Sequence, residues 1–356
     1  MNNKQGTEFE LSEIKLKFPL DISIKGLSLI QDGDTMIHAG SLDASVKLMP
    51  LLAGHVNVDR AIATDARYQI GTRDSATCIV VKAGIIDLDP AHVALSPMHI
   101  TLDNGTITHG VVDIFINPVD TTPPSKSEPT PLLIDVKNLT LNNFTYRMNM
   151  MPTIDSLGTH IAHATLKNGH IDVAGQKILL DDFSGNNLDV SYIAPDSATI
   201  AATPVVPSPV DTLTQTTKPW EIKLSRLYFD NSRALYSTRG YSPLPGFDPA
   251  YISVTDMTLD VEDFYNCGAD MSIPVKVKGH ERSGLDLKIG ATLGFDSVKM
   301  MFDDVTLATP SGTDISGQGM LGSGDLMTDV NLPLGLNLKG KIATGDLALA
   351  FPTFRA

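Results

Sequence analysis

The chain has 356 residues, a net charge of −14 and a pI near 4.9. This acidity excludes phosphate backbones held by bulk electrostatics, so no nucleic acid is expected as a partner, and it excludes docking on an anionic membrane through a basic patch. Apolar residues make up 42 % and aromatics only 6 %, which supplies aliphatic surface but little for stacking on bases or sugars.

The opening MNNKQGTEFELSEIKLKF lacks the apolar core of a signal peptide, and no run of about 18 apolar residues occurs, so no helix is expected to span a bilayer. A leader or anchor, if the native protein carries one, is expected upstream of residue 1. At Pro19 begins a phrase that occurs three times, Pro-x-x-Ile-x-(Ile/Val/Leu)-x-x-Leu-x-(Leu/Phe), over Pro19–Leu29, Pro131–Leu141 and Pro219–Phe229. Alternation places Ile22, Ile24, Leu27 and Leu29 on one strand face in the first copy. The second copy places Ile134, Val136, Leu139 and Leu141 there, and the third Ile222, Leu224, Leu227 and Phe229. The three-residue step from Ile24 to Leu27 breaks the period of two, as a bulge or twist does. A recurring strand unit implies growth by strand addition.

Further one-sided strands are expected at Val46-x-Leu48, Val56-x-Val58, Met98-x-Ile100-x-Leu102, Val112-x-Ile114-x-Ile116, Ile171-x-Val173 and Leu188-x-Val190-x-Tyr192. The same pattern continues from Met257 to Val261, Met271 to Val277, Leu285 to Ile289, Val298 to Phe302 and Leu332 to Leu338. Asp32-Gly33, Asp103-Asn104-Gly105 and Asn168-Gly169 read as turns between them. Helix is expected only as a turn or two around Leu48–Gly54, and in under about a tenth of the residues, against about a third for an average domain. Two segments rich in Pro, Ser and Thr, 118–130 and 195–218, read as long loops within one sheet. The expected organisation is one continuous repeat domain over residues 1–356, with antiparallel strand units 1–117, 131–194 and 219–356.

No catalytic motif emerges. Gly317-Gln318-Gly319-Met320-Leu321-Gly322 matches a dinucleotide fingerprint by letters, but another turn, not a helix, is expected after it. His160 and His163, three apart on a strand, are expected on opposite faces, so no metal site is assigned. Asp181-Asp182 and Asp303-Asp304 are expected at strand ends, where neighbouring carboxylates diverge. Cys78 and Cys267 have no metal-site spacing, and a disulfide between them is left open. No cofactor is expected, and the chain is not expected to be an enzyme.

The stretch from Phe18 to Asp59 resembles the N-terminal part of AsmA-like and TamB-like envelope proteins, especially those of Bacteroidetes. In those proteins a strand pair ends in D-x-(g)-D-T, followed by an a-x-x-l-x-a-x-v strand, an l-x-x-L-l-x-g turn and an i-x-i strand. Asp32 with Asp34-Thr35, Ala39–Val46, Leu48–Gly54 and Val56–Val58 take those places here. Glu281–Leu287 with Phe302–Thr313 is similar to a second passage of the same group. The recurring triplets Asp74-Ser75-Ala76, Asp155-Ser156-Leu157 and Asp196-Ser197-Ala198 look like O-glycosylation acceptors of exported Bacteroidetes proteins.

The resemblance implies an all-β fold: an elongated, twisted, U-shaped antiparallel β-groove with a greasy interior. It implies a periplasmic segment of a protein anchored in the inner membrane of a Gram-negative bacterium. It further implies phospholipid acyl chains as ligands, transport between membranes or outer-membrane biogenesis as the role, and outer-membrane assembly proteins as possible partners. The twelve apolar residues of the three phrases are then the expected groove lining. The competing expectation is a secreted β-repeat module that binds protein through loops or sheet edges and keeps its apolar face as a packed core.

Overall fold

A computed structural model describes residues 7–17, 21–31, 33–47, 50, 55–72, 77–95, 98–117, 131–150, 155–195, 219–295, 299–322 and 333–355. The fold is all-β, as the alternation predicts, and its eighteen strands are assigned to one mixed sheet. The chain divides into two compact units, Met1–Gly175 with Tyr192–Thr214, and Gln176–Ser191 with Gln215–Ala356.

Unit 1 carries β1 (Thr7–Glu10), β2 (Glu13–Lys17), β3 (Asp21–Gln31), β4 (Asp34–Val46), β5 (His55–Ile70), β6 (Thr77–Leu88), β7 (Ala91–Leu95), β8 (Met98–Ile116), β9 (Leu132–Met150) and β10 (Asp155–Asp172). β1 and β2 both pair with β3, and antiparallel neighbours then run β3–β4–β5–β6–β8. The short β7 fits between β5 and β8, and β9–β10 is antiparallel. β8 and β9 are parallel, which departs from the all-antiparallel expectation.

Unit 2 carries most of β11 (Lys177–Ala194), then β12 (Glu221–Thr238), β13 (Tyr251–Cys267), β14 (Asp270–Glu281), β15 (Leu285–Phe295), β16 (Lys299–Ala308), β17 (Asp314–Gly322) and β18 (Leu334–Lys341). From β12 onward each strand pairs antiparallel with the next. Side-chain contacts between β11 and β12 join residues a constant 44 apart, Asn187 with Asn231, Leu188 with Ser232 and Asp189 with Arg233. A constant offset requires parallel strands.

These two parallel junctions explain the two Pro/Ser/Thr-rich segments. A parallel pair cannot be joined by a hairpin and needs a connection of about a dozen residues or more. Segments 118–130 and 195–218 lie in sequence between the parallel partners; apart from Pro195 they fall outside the described residues. Outside them too fall Asp32, residues 48–49 and 51–54 of the expected helical turn, and two of the Asp-Ser triplets. Pro50 is described and helical.

The strands are long because several expected turns are not turns. Asp103-Asn104-Gly105 lies inside β8 and Asn168-Gly169 inside β10. Asn168 adopts φ 51°, a left-handed conformation that Asn tolerates within a continuing strand. Asp303-Asp304 likewise sits mid-strand at a register shift of β16, with Asp304 at φ 51°, and Asp181-Asp182 lies within β11.

At the end of unit 2, α1 (Thr344–Ala350) packs on β15. The Asp346 carboxylate accepts the hydroxyls of Thr309 and Thr313 at 2.5 and 2.6 Å, which holds it below the usual carboxylate range. The Ala350 carbonyl accepts the Phe247 N–H, tying α1 to the loop after β12.

Candidate functional apolar face

A single device organises unit 1. Residues flanking Gly26 pair with residues flanking Gly40, and the same relation links Gly40 to Asp65, Gly84, His109, Asn143 and Ala162 across seven strands. None of these seven takes part in a register pair. Four of them have left-handed backbones: Gly26 (φ 60°), Asp65 (49°), His109 (55°) and Asn143 (52°). We call this row a crease.

Crossing it shifts the side-chain alternation by one, so residues three apart share a face. Ile161 and Ala164, which straddle the crease, are both buried, while Ala162 and His163 between them are exposed. The crease is the physical cause of the broken period in the first phrase, where Gly26 lies between Ile24 and Leu27. In the second phrase Lys137 lies opposite the left-handed Asn168, and in the third Ser225 lies opposite Asp263 at φ 56°.

Side chains opposite one another across a register pair share a face, so the face can be read strand by strand. From Ile24 the row runs Leu42, Ala63, Ile86, Ile107, Leu141 and Ala164. From Leu29 it runs Ile37, Tyr68, Val81, Val112, Tyr146 and Thr159 in the same strands. The row from Ile22 reaches Leu139, and Ile134 and Val136 extend the face past the next interruption, opposite Ile171 and Gly169. All eight predicted residues of the first two phrases therefore fall on one apolar face, with Ile24 in the row of Leu141.

The edge strands add Phe9, Ile14 and Leu16, opposite Leu29, Ile24 and Ile22. Phe9 is 63 % exposed, Leu16 68 %, Tyr68 49 % and Ile37 37 %. These values mark apolar surface open to solvent among the described residues. Leu141, at 7 %, is covered by its neighbours.

The other face of unit 1 is mainly polar, with Ile62 and Ile85 among its apolar residues. It carries cross-strand hydrogen bonds and ion pairs such as Ser45–Asp21, Ser28–His38, Lys137–Asp103 and Arg147–Asp113. His160 and His163 both lie on it, bonded to Thr145 and Asn142; the crease overturns the expectation that they face opposite sides. His99 Nε2 and His170 Nδ1 each contact one oxygen of Asp135, at 2.6 and 2.7 Å. The His170 hydrogen bond, followed by that of His99, holds the Asp135 carboxyl below its ordinary range. Among the described residues no cluster of three or more His, Cys, Asp or Glu could hold a metal ion.

Unit 2 repeats the arrangement. Leu224 faces Phe264, Leu227 faces Val261 and Phe229 faces Leu259. The apolar rows continue through Val275, Ala291 and Val277, Ile289, Leu307 and Ile315 to the β18 edge, where Leu334, Leu336 and Leu338 alternate. Leu336 is 62 % exposed, whereas Phe229 is 1 % exposed and packs edge-to-face on Phe183 at 5.4 Å. Ile222 shares the face of Leu224 at the strand end, opposite Asn266.

No family model, curated protein or solved structure matches this chain. Gly317–Gly322 is strand, without the helix a phosphate loop needs. No disulfide joins Cys78 and Cys267. Among the described residues no helix is long and apolar enough to cross a membrane. Sequence reasoning missed Tyr68, Tyr146 and the edge residues Phe9, Ile14 and Leu16, and read Val112 as one-sided strand without assigning it to the groove. Alternation in Phe9–Leu16 was a usable signal; the faces of the others depend on the crease, which needs the register.

Proposed function

We propose that this chain is a segment of an AsmA-like or TamB-like envelope protein and that its apolar face shields phospholipid acyl chains in the periplasm, without catalysis. The observation that carries the reading is the apolar face of unit 1, seven strands wide and without a charged residue in the rows of Ile24 and Leu29, on which Tyr68, Ile37, Phe9 and Leu16 remain in contact with solvent. Apolar patches of this extent are rare on monomers and mark ligand or membrane contacts. Each acyl CH₂ withdrawn from water onto such a face gains about 0.8 kcal/mol, and aliphatic side chains offer no directional bonds to pin the chain in place. Lateral passage along the rows then meets no large barrier. Ile22, Ile24, Leu27, Leu29, Ile134, Val136, Leu139, Ile222 and Leu227 take the contact role, while Leu141, Leu224 and Phe229 serve packing beneath it.

A photo-crosslinking amino acid at Tyr68 tests the reading against one at Lys82 on the polar face, using vesicles of radiolabelled phospholipid. Labelled protein should form from position 68 and not from 82. Equal labelling at both, or labelling at 82 alone, would remove the apolar face as the lipid contact.

A further inference from the structure

The polar face of unit 2 carries an exception to its own charge pattern. Several cations on the polar faces sit beside carboxylates on neighbouring strands, Lys137 with Asp103, Arg147 with Asp113, Arg226 with Asp260 and Lys276 with Glu262, while in unit 1 Arg67 and Lys82 are directly opposed. In unit 2, Lys278 of β14 likewise lies directly opposite Lys288 of β15. Like charges directly opposed in an antiparallel pair are destabilising. Among the described residues neither lysine has a carboxylate within ion-pair distance, in a chain with a surplus of acids.

The pair borders a hollow of about 670 Å³. Gly290 lies in its wall, paired with Lys276 on one side and Thr306 on the other, and a Cβ there would meet the Thr306 hydroxyl at 2.8 Å. Thr292 and Thr306 line it, and the Thr306 hydroxyl donates to the Gly290 carbonyl at 3.4 Å. Both lysines also border an adjoining hollow of about 550 Å³. Most carboxylates in these walls are already engaged: Asp260 by Arg226, Glu262 by Lys276 and Asp286 by His280. Asp256 and Asp304 complete the walls, neither within ion-pair reach of the lysines.

We propose that Lys278 and Lys288, with the hydroxyls of Thr292 and Thr306, form a binding site for a phosphate group. Two ammonium groups on directly opposed residues match a dianion, which relieves the repulsion that the unliganded pair sustains. The hollow has the volume of a small-molecule site. The site lies on the face opposite the apolar rows, so it is independent of the acyl-chain reading. The phosphate can belong to a free phosphorylated metabolite or to a lipid headgroup presented at a membrane surface.

The test uses the full chain and its Lys278→Gln, Lys288→Gln and Lys339→Gln variants in phosphate-free buffer at low ionic strength. Calorimetric titration with glycerol 3-phosphate forms one arm, and sedimentation with vesicles containing phosphatidic acid the other. Saturable binding that weakens at least tenfold in the first two variants, and is unchanged in Lys339→Gln, supports the site. Lysine-dependent binding in the first arm assigns a soluble phosphate; in the second arm alone it assigns a headgroup. Without ligand, Lys278→Gln should melt at or above the parent temperature, since it removes a repulsion. Binding equal in all four proteins, or absent from all, would overturn the proposal.

Discussion

Replacing Tyr68 by Glu separates an open apolar face from a closed core. Tyr68 sits mid-row between Ile37 and Val81, and 49 % of its surface is exposed. Full burial of a large apolar side chain contributes about 1.5–3 kcal/mol, so roughly 1 kcal/mol is at stake for a half-exposed ring. The lower strand propensity of Glu adds up to about 1 kcal/mol. The carboxylate stays hydrated on an open face, so the expected loss is about 1–2 kcal/mol. For a unit of this size that lowers Tm by about 2–8 °C.

Leu141→Glu is the internal comparison. Leu141 is 7 % exposed between Ile107 and Ala164, and an unpaired carboxylate there costs several kcal/mol beyond the lost packing. That variant should lose more than about 10 °C or fail to fold. Thermal melts followed by circular dichroism read both. Equal losses for the two variants would mean that Tyr68 is as enclosed as Leu141, and the open-face argument would fail.

Asp135→Asn should lower stability at pH 7 by about 0.2–1 kcal/mol, a small effect because the side chains are more than a third exposed. The folded carboxyl titrates below its ordinary value, so its contribution is present above about pH 4 and is lost as pH falls through the lowered value, where the gap between parent and variant should close. Gly26→Ala places a Cβ against Ser12 and forces an L residue into the left-handed region, and should cost about 1–3 kcal/mol in urea denaturation. Asn143→Gly, at φ 52°, should be neutral to within about 0.5 kcal/mol, and a large loss there would show that the Asn side chain itself matters. Asp346→Ala removes the acceptor of Thr309 and Thr313 and should release α1, seen as faster amide exchange in Thr344–Ala350 with β3–β6 unchanged.

Strand content and the one-sidedness of the three phrases were legible because a period of two leaves a direct mark on residue order. The reason for the broken step was not legible. In the first phrase it rests on Gly26, but in the other two the left-handed residues are Asn168 and Asp263, on neighbouring strands distant in sequence. The same Asn and Asp residues, read locally, imitate turns, which is why Asn168-Gly169 was read as a break and β10 as shorter than it is. The parallel junctions β8–β9 and β11–β12 were hidden too. A long Pro-rich segment signals that a hairpin is absent without fixing the direction of the returning strand. Half-exposure of Tyr68 against burial of Leu141 depends on cross-strand neighbours that only the register brings together.

The most direct test of the acyl-chain account is organic extraction and mass spectrometry of the protein purified without detergent, beside a delipidated sample re-exposed to phospholipid vesicles. The account predicts diacyl phospholipid recovered in at least stoichiometric amount, regained by the delipidated sample, and reduced in Tyr68→Glu. Protein that is folded, carries no lipid and takes none up from vesicles would contradict it.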